Sequence, residues 1–176
     1  LALGTNIGLS NVNAVSNLVT VGGYGYIVGN SALANLSGLI KLTSIGGYLN
    51  ISQNNALTSL SGLINVTQIN GELNVSQNNA LASLAGLDNI SPTSIIFLKL
   101  QSSTSLSLCG VASVLAYLND NGESIISGNA VGCRCREEVL SGTCQALPVD
   151  LVRFDGESTA EGNKLTWKTA SETKNE

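Results

Sequence analysis

The 176-residue chain has no histidine. That absence removes Ser-His-Asp and Cys-His catalytic arrangements and every mixed histidine metal site. Charge is scarce as well, and unevenly so. Residues 1–119 carry only Lys41, Glu72, Asp88 and Lys99, whereas residues 120–176 carry the other sixteen charged side chains, which marks a compositional boundary near residue 119. Glycoside hydrolysis needs two facing carboxylates. Glu72 and Asp88 lie sixteen residues apart in a repeating pattern that should send them to different sides. The expectation is a protein that is not an enzyme, with no catalytic residues and no cofactor.

Other absences narrow the partners. The net charge of -4 and the lack of a Lys/Arg cluster leave no electrostatic footprint for nucleic acid or for an anionic membrane surface. No apolar run approaches the roughly 18 to 20 residues that span a bilayer, because Asn, Ser and Gly interrupt each one. No membrane insertion is expected. Residue 1 is Leu and no basic-then-apolar leader precedes the first pattern, which suggests a trimmed or mature fragment whose export signal has been removed. The four cysteines, Cys109, Cys133, Cys135 and Cys144, follow the spacing Cys-x23-Cys-x-Cys-x8-Cys. Without paired Cys-x2-Cys knuckles this reads as disulfides and not as a metal site, and it points to an oxidising, extracytoplasmic location, secreted or at the cell surface.

What the chain does have is a repeat. Leu49 to Leu63 (LNISQNNALTSLSGL) returns 24 residues later as Leu73 to Leu87 (LNVSQNNALASLAGL), and earlier copies begin at Gly25 and Leu1. Apolar columns run through Leu3/Ile27/Ile51/Val75, Leu9/Leu33/Leu57/Leu81, Val12/Leu36/Leu60/Leu84, Val15/Leu39/Leu63/Leu87 and Leu18/Leu42/Val66/Ile90. One turn cannot bury such a set alone. Turns stacked about 4.8 Å apart bury it as a continuous column and satisfy one another as parallel strands. A polar column, Asn6, Asn30, Asn54 and Asn78, is equally regular. An inward amide is tolerable only when paired, so these four residues should form a ladder bonded to turn backbone and to each other.

Four copies of L-x-L-x-x-N-x-x-L, the second with Gly25 in first place, resemble leucine-rich repeats of the receptor L-domain-like kind found in bacterial surface proteins. The resemblance covers residues 1–108. It implies a mainly β fold: a right-handed parallel β-solenoid of leucine-rich 24-residue turns. Ile95 to Leu108 is a degraded turn that keeps Leu98 and Leu100 but has Ser in place of the ladder Asn, and the repeat pattern ends there. Cys109 to Leu118 then shows helical spacing at Val111, Val114, Leu115 and Leu118. With a strand at Ser124 to Ser127 and a short helix at Arg136 to Leu140, it should cap the open apolar end.

In similar bacterial repeat proteins the cap reads L-C-x-V-x-x-I-C-x-Y-L, then G-C-N-S-x-x-E-V-x-x-x-C. Here Leu115 stands where the second cysteine would be, and Cys135 where a Ser is usual. The resemblance therefore implies Cys133 bonded to Cys144 and Cys109 bonded to Cys135, with Cys109–Cys133 plus Cys135–Cys144 as the alternative. From Leu147 the segment LPVDLVRFDGESTAEGNKLTWKTASETKNE offers two alternating strands, Val149 to Phe154 and Lys164 to Thr169. It resembles the opening of the fibronectin-like module that precedes the C-terminal sorting domain in secreted proteins of Bacteroidetes-type bacteria. The implied organisation is a leucine-rich solenoid at 1–108, a disulfide-stapled cap at 109–146 and the truncated start of a fibronectin-like module at 147–176, one part of a longer chain with further domains. A lone hairpin is marginal in water, so it should lean on the solenoid or a neighbour and bury Trp167.

Minor motifs carry no chemistry. Gly22-Gly23-Tyr24-Gly25 falls at a repeat corner and not between a strand and a helix, so it is no phosphate loop. Asn119 to Glu123 lacks the spaced acidic ligands of a calcium loop. The Asn-x-Ser/Thr sequons at Asn35, Asn50, Asn65 and Asn74 follow from a repeat rich in both residues. The outward face of the main sheet is the place left for function. If Leu49 and Ile51 point in, alternation sends Tyr48, Asn50 and Ser52 out, beside Tyr24, Tyr26, Glu72, Asn74, Phe97 and Lys99. Aromatics flanked by amides suit a protein or carbohydrate ligand. The competing readings are a structural spacer in a larger secreted protein and an ice-binding surface. The second lacks regular Thr-x-Thr columns, since the Thr20 column becomes Ser44 and then Gln68.

Overall fold

A computed structural model describes residues 1–144, 151–159 and 162–169. The chain divides into two compact units, Leu1–Cys144 and Gln145–Glu176.

In the first unit the 24-residue period becomes parallel pairing. Strands β1 (Ala2–Gly4), β3 (Gly25–Val28), β5 (Leu49–Ser52), β7 (Gly71–Ser76), β8 (Ile95–Gln101) and β9 (Ser124–Ser127) form a six-stranded sheet in that order. Three two-residue strands, β2 (Thr20–Val21), β4 (Ser44–Ile45) and β6 (Gln68–Ile69), form a second parallel sheet. Leu3 pairs with Ile27, Ile27 with Ile51 and Ile51 with Val75, so each copy of the pattern lies on the previous one. This is a mainly parallel-β, solenoid-like arrangement. The inward columns make one apolar core: Ile27, Leu33, Leu36, Leu57, Leu60, Leu73, Leu81 and Leu84 are fully buried.

Short 3-10 turns at Asn13–Val15, Ser37–Leu39 and Ser61–Leu63 carry the chain between the sheets. Their packing explains a glycine column. A Cβ on Gly62 would collide with the carbonyl oxygen of Leu36 in the preceding repeat, and one on Gly38 with that of Val12.

The asparagine column is a hydrogen-bonded ladder. Asn54 Nδ2 donates to the carbonyls of Ile27 (2.9 Å) and Ser52 (3.0 Å), while Asn54 Oδ1 accepts from the backbone nitrogen of Asn30 (3.1 Å). Asn30 and Asn78 repeat the pattern; Asn6, at the end of the stack, is exposed and bonds only locally through its side chain. Each rung follows a left-handed residue at Thr5, Gly29, Gln53, Gln77, Ser102 or Gly128, whose positive φ turns the next side chain inward.

The sheet runs past Leu108. Ser103 is fully buried and takes the fifth rung, accepting from the Asn78 backbone nitrogen at 3.1 Å. Asn129 is a sixth rung: its Oδ1 accepts from Ser103 N (3.0 Å) and its Nδ2 donates to Leu100 O (2.8 Å) and Cys133 O (3.0 Å). Spacing hides the Ser103 rung because an extra residue in β8, opposite the Gly71–Glu72 step, shifts the register and leaves Ile96 71% exposed, and it hides the Asn129 rung because the step from Ser103 is 26 residues long.

The capping helix α1 spans Ala112–Asn119, starting three residues later than the apolar spacing suggests, with Val114, Tyr117 and Leu118 buried. Tyr117 Oη donates to the backbone at Ile96 and Glu123, and burial, with Glu123 nearby, raises its pKa. Helix α2 spans Arg136–Ser141. The disulfides are Cys109–Cys133 and Cys135–Cys144, which corrects the pairing implied by the cap resemblance. The reason is geometric. Cys109 and Cys133 are one repeat length apart and end with Cα atoms 5.7 Å apart, while α2 brings Cys144 back within 5.8 Å of Cys135.

In the second unit β10 (Leu151–Thr159) and β11 (Gly162–Thr169) form an antiparallel hairpin, with Phe154 opposite Trp167. Both strands extend beyond the segments read from sequence. The expected burial of Trp167 lies outside the described residues.

Candidate functional site

Alternation along the six-stranded sheet commits one face to the core and leaves outward rows along the stack. One row runs Tyr26, Asn50, Asn74, Lys99 and Ile125, each paired with the next across parallel strands. Beside it lie Tyr24, Tyr48, Glu72 and Phe97, the last two directly paired. The spacing between neighbours is the interstrand distance, so the side chains form a continuous surface.

Two tyrosines on this face are engaged with each other. The Tyr24 and Tyr48 rings stack with centroids 4.4 Å apart and planes 14° apart. Gly47 makes this possible, since a Cβ there would press on the Tyr24 ring. Tyr24 remains 61% exposed, Tyr26 38% and Tyr48 36%. The stack occupies one side of each ring, so what remains for a ligand is the ring edges and the outer side of each ring.

Next to the stack Tyr48, Leu49, Asn50, Glu72, Asn74 and Lys99 enclose a shallow depression of about 310 Å³. A second depression of about 190 Å³ adjoins it, sharing Asn74 and Lys99 and continuing over Ser52 and Gln101. Of the residues picked from sequence, five therefore line one depression. Tyr24 joins them through the stack, Tyr26 through pairing with Asn50, and Phe97 through pairing with Glu72. Ser52 differs from expectation: it and Ser76 are buried at the edge of the face. The contribution of Gln101 was missed in sequence because the bulge displaces β8 from the 24-residue count.

No protein-family model matches the chain, and no curated protein or solved structure matches it. The face is therefore judged on its own chemistry.

That chemistry is unevenly satisfied. Asn74 Oδ1 accepts from Ser76 Oγ at 2.6 Å. Asn50, the same position one repeat earlier, has its Oδ1 covered and without a partner among the described residues, an arrangement that costs about 1–3 kcal/mol. Glu72 and Lys99 line the same depression, yet the ion pair found among the described residues is Arg134–Glu138, in the cap. Arg134 grips Glu138 through Nη2 (2.7 Å) and Nε and holds its carboxyl down at about 2. That pair braces α2 and stands apart from the sheet face. Among the described residues no three His, Cys, Asp or Glu side chains gather in a way that could hold a metal ion, and no helix is long and apolar enough to cross a membrane.

Asn119 to Glu123 forms the turn after α1. Gly122 N donates to Tyr117 O at 3.0 Å and Arg136 donates to the Gly122 and Leu118 carbonyls, which closes the helix end.

Proposed function

We propose that Leu1–Cys144 is a right-handed leucine-rich solenoid of the receptor L-domain-like kind, serving as a recognition or adhesion module of a secreted or cell-surface protein. It binds a protein or carbohydrate partner through the outward sheet face and performs no catalysis. Residues 147–176 belong to a fibronectin-like module. Two disulfides support an oxidising, extracytoplasmic location.

The observation that carries the reading is the Tyr24–Tyr48 stack beside a polar depression, on a sheet whose opposite face is wholly spent on the core. Structural demands account for the inward columns and not for this surface. Exposed aromatics next to underused polar groups are the usual makings of a contact surface.

The test compares the full chain with a Tyr24→Ala/Tyr48→Ala variant in glycan-array binding and in pull-downs from a panel of extracellular proteins. Loss of binding with an unchanged melting temperature supports the reading. Binding that survives the double substitution removes the face from consideration. A chain that binds nothing on either panel, and tolerates substitution of all outward residues, is a spacer.

A further inference from the structure

We infer that the depression beside Asn50 is a subsite for a neutral carbohydrate, with vicinal hydroxyls bridging Glu72 and Lys99 against the Tyr48 wall. This rests on the recognition reading above and narrows its ligand to one class.

Donor and acceptor chemistry makes the choice. The depression offers a carboxylate at Glu72, which only accepts, and an ammonium at Lys99, which only donates, with the amides of Asn50 and Asn74 beside them and Asn50 Oδ1 itself buried. Glu72 and Lys99 share the depression without pairing to each other. A hydroxyl group donates and accepts at the same atom, so a diol satisfies a carboxylate and an ammonium together.

Other ligand classes fit less well. Glu72 and Lys99 cancel in formal charge, and the described face carries no cluster of basic side chains to attract an anionic polymer. A peptide strand recognised through its backbone needs an open sheet edge. Here β5, β7 and β8 are interior strands, paired on both sides. A protein anchored by hot spots wants a deep apolar pocket, whereas this floor is polar and shallow. The apolar component is confined to Tyr48 and its stacking partner, which suits the C–H face of a sugar ring. About 310 Å³ lies at the small end of ligand sites, and the adjoining depression extends the track along the stack.

The experiment screens the full chain on an array of neutral hexose and N-acetylhexosamine oligosaccharides alongside sulfated and uronate-containing ones. Hits are followed by titration of Glu72→Gln and Lys99→Met, with melting temperatures measured in parallel. The expected result is retention of neutral glycans, little dependence on salt, and weakening by about tenfold or more in Glu72→Gln and Lys99→Met without loss of thermal stability. Three results overturn the proposal: no neutral glycan is retained; only anionic glycans bind and added salt abolishes it; or the variants bind as the parent does. A protein partner that binds, and is lost with Tyr24→Ala/Tyr48→Ala while no glycan is retained, ends the carbohydrate assignment but leaves the recognition reading standing. Glycan binding indifferent to every face substitution ends both.

Discussion

Asn78 Oδ1 accepts a hydrogen bond from the backbone nitrogen of Asn54 at 3.0 Å, and this contact joins two repeats 24 residues apart. Asn54 meanwhile donates to the carbonyl of Ile27 in the repeat before. Each rung therefore serves three levels of the stack. Substituting Asn54→Ala leaves the Asn30 nitrogen buried without a partner and takes one hydrogen bond from the Ile27 carbonyl, which keeps its place in the β3–β5 ladder. At about 1–3 kcal/mol for the stranded group, we expect a loss of roughly 2 kcal/mol or more in urea denaturation. Asn6→Ala, at an exposed rung, should cost under about 1 kcal/mol. Equal effects at the two sites would refute a ladder that depends on burial.

The glycine of each 3-10 turn is fixed by a neighbour and not by its own backbone angles. A methyl group at Gly62 must displace the Leu36 carbonyl, a rigid part of the adjacent repeat. Gly62→Ala should therefore cost about 1–3 kcal/mol or more by overpacking, although alanine favours helical turns. The sequence carries its own contrast at Ala14, which holds the same column in the first repeat. Ala14→Gly should change stability by less than about 1 kcal/mol, measured by the same denaturation.

The inward half of this fold was legible because burial forces periodicity: Leu57 and Leu81 must match if the repeats are to share a core. Legibility failed where a local insertion broke the count. Ile96 bulges out and the step from Asn78 to Ser103 becomes 25 residues, while the step from Ser103 to Asn129, which contains α1, is 26, so Ser103 read as a defect and Asn129 as cap. The outward residues could be named from alternation, but their grouping could not. That Tyr24 stacks on Tyr48, or that Ser76 satisfies Asn74 while Asn50 goes without, depends on side-chain torsions that no period encodes.

The corrected disulfides give a graded prediction. Cys109–Cys133 closes a loop with a sequence separation of 24 and Cys135–Cys144 one of 9. Loop entropy alone makes them worth about 3.5 and about 2.7 kcal/mol. Cys109→Ala/Cys133→Ala should therefore lower the denaturation midpoint more than Cys135→Ala/Cys144→Ala, and burial of Cys109 and Cys133 in the core adds to the difference. Peptide mapping without reduction should recover these two bridges. A Cys133–Cys144 fragment would overturn the assignment.

The Arg134–Glu138 pair predicts where acid begins to loosen the cap. The Arg134 side chain, followed by its backbone nitrogen, holds the Glu138 carboxyl at about 2, below its ordinary 4.5. A depressed folded-state pKa means the unfolded chain takes up the proton first. The stabilisation is thus complete above pH 4.5 and is lost as pH falls from 4.5 towards 2. Glu138→Gln removes the charge at every pH. The melting-temperature gap between parent and variant should be widest near neutrality, shrink below pH 4.5 and approach a small residual near pH 2. Because Glu138 also accepts from the Arg134 backbone nitrogen, the residual reports what the neutral hydrogen bonds retain. A gap that stays constant from pH 7 to pH 2 would show that α2 is held by its disulfide and packing alone.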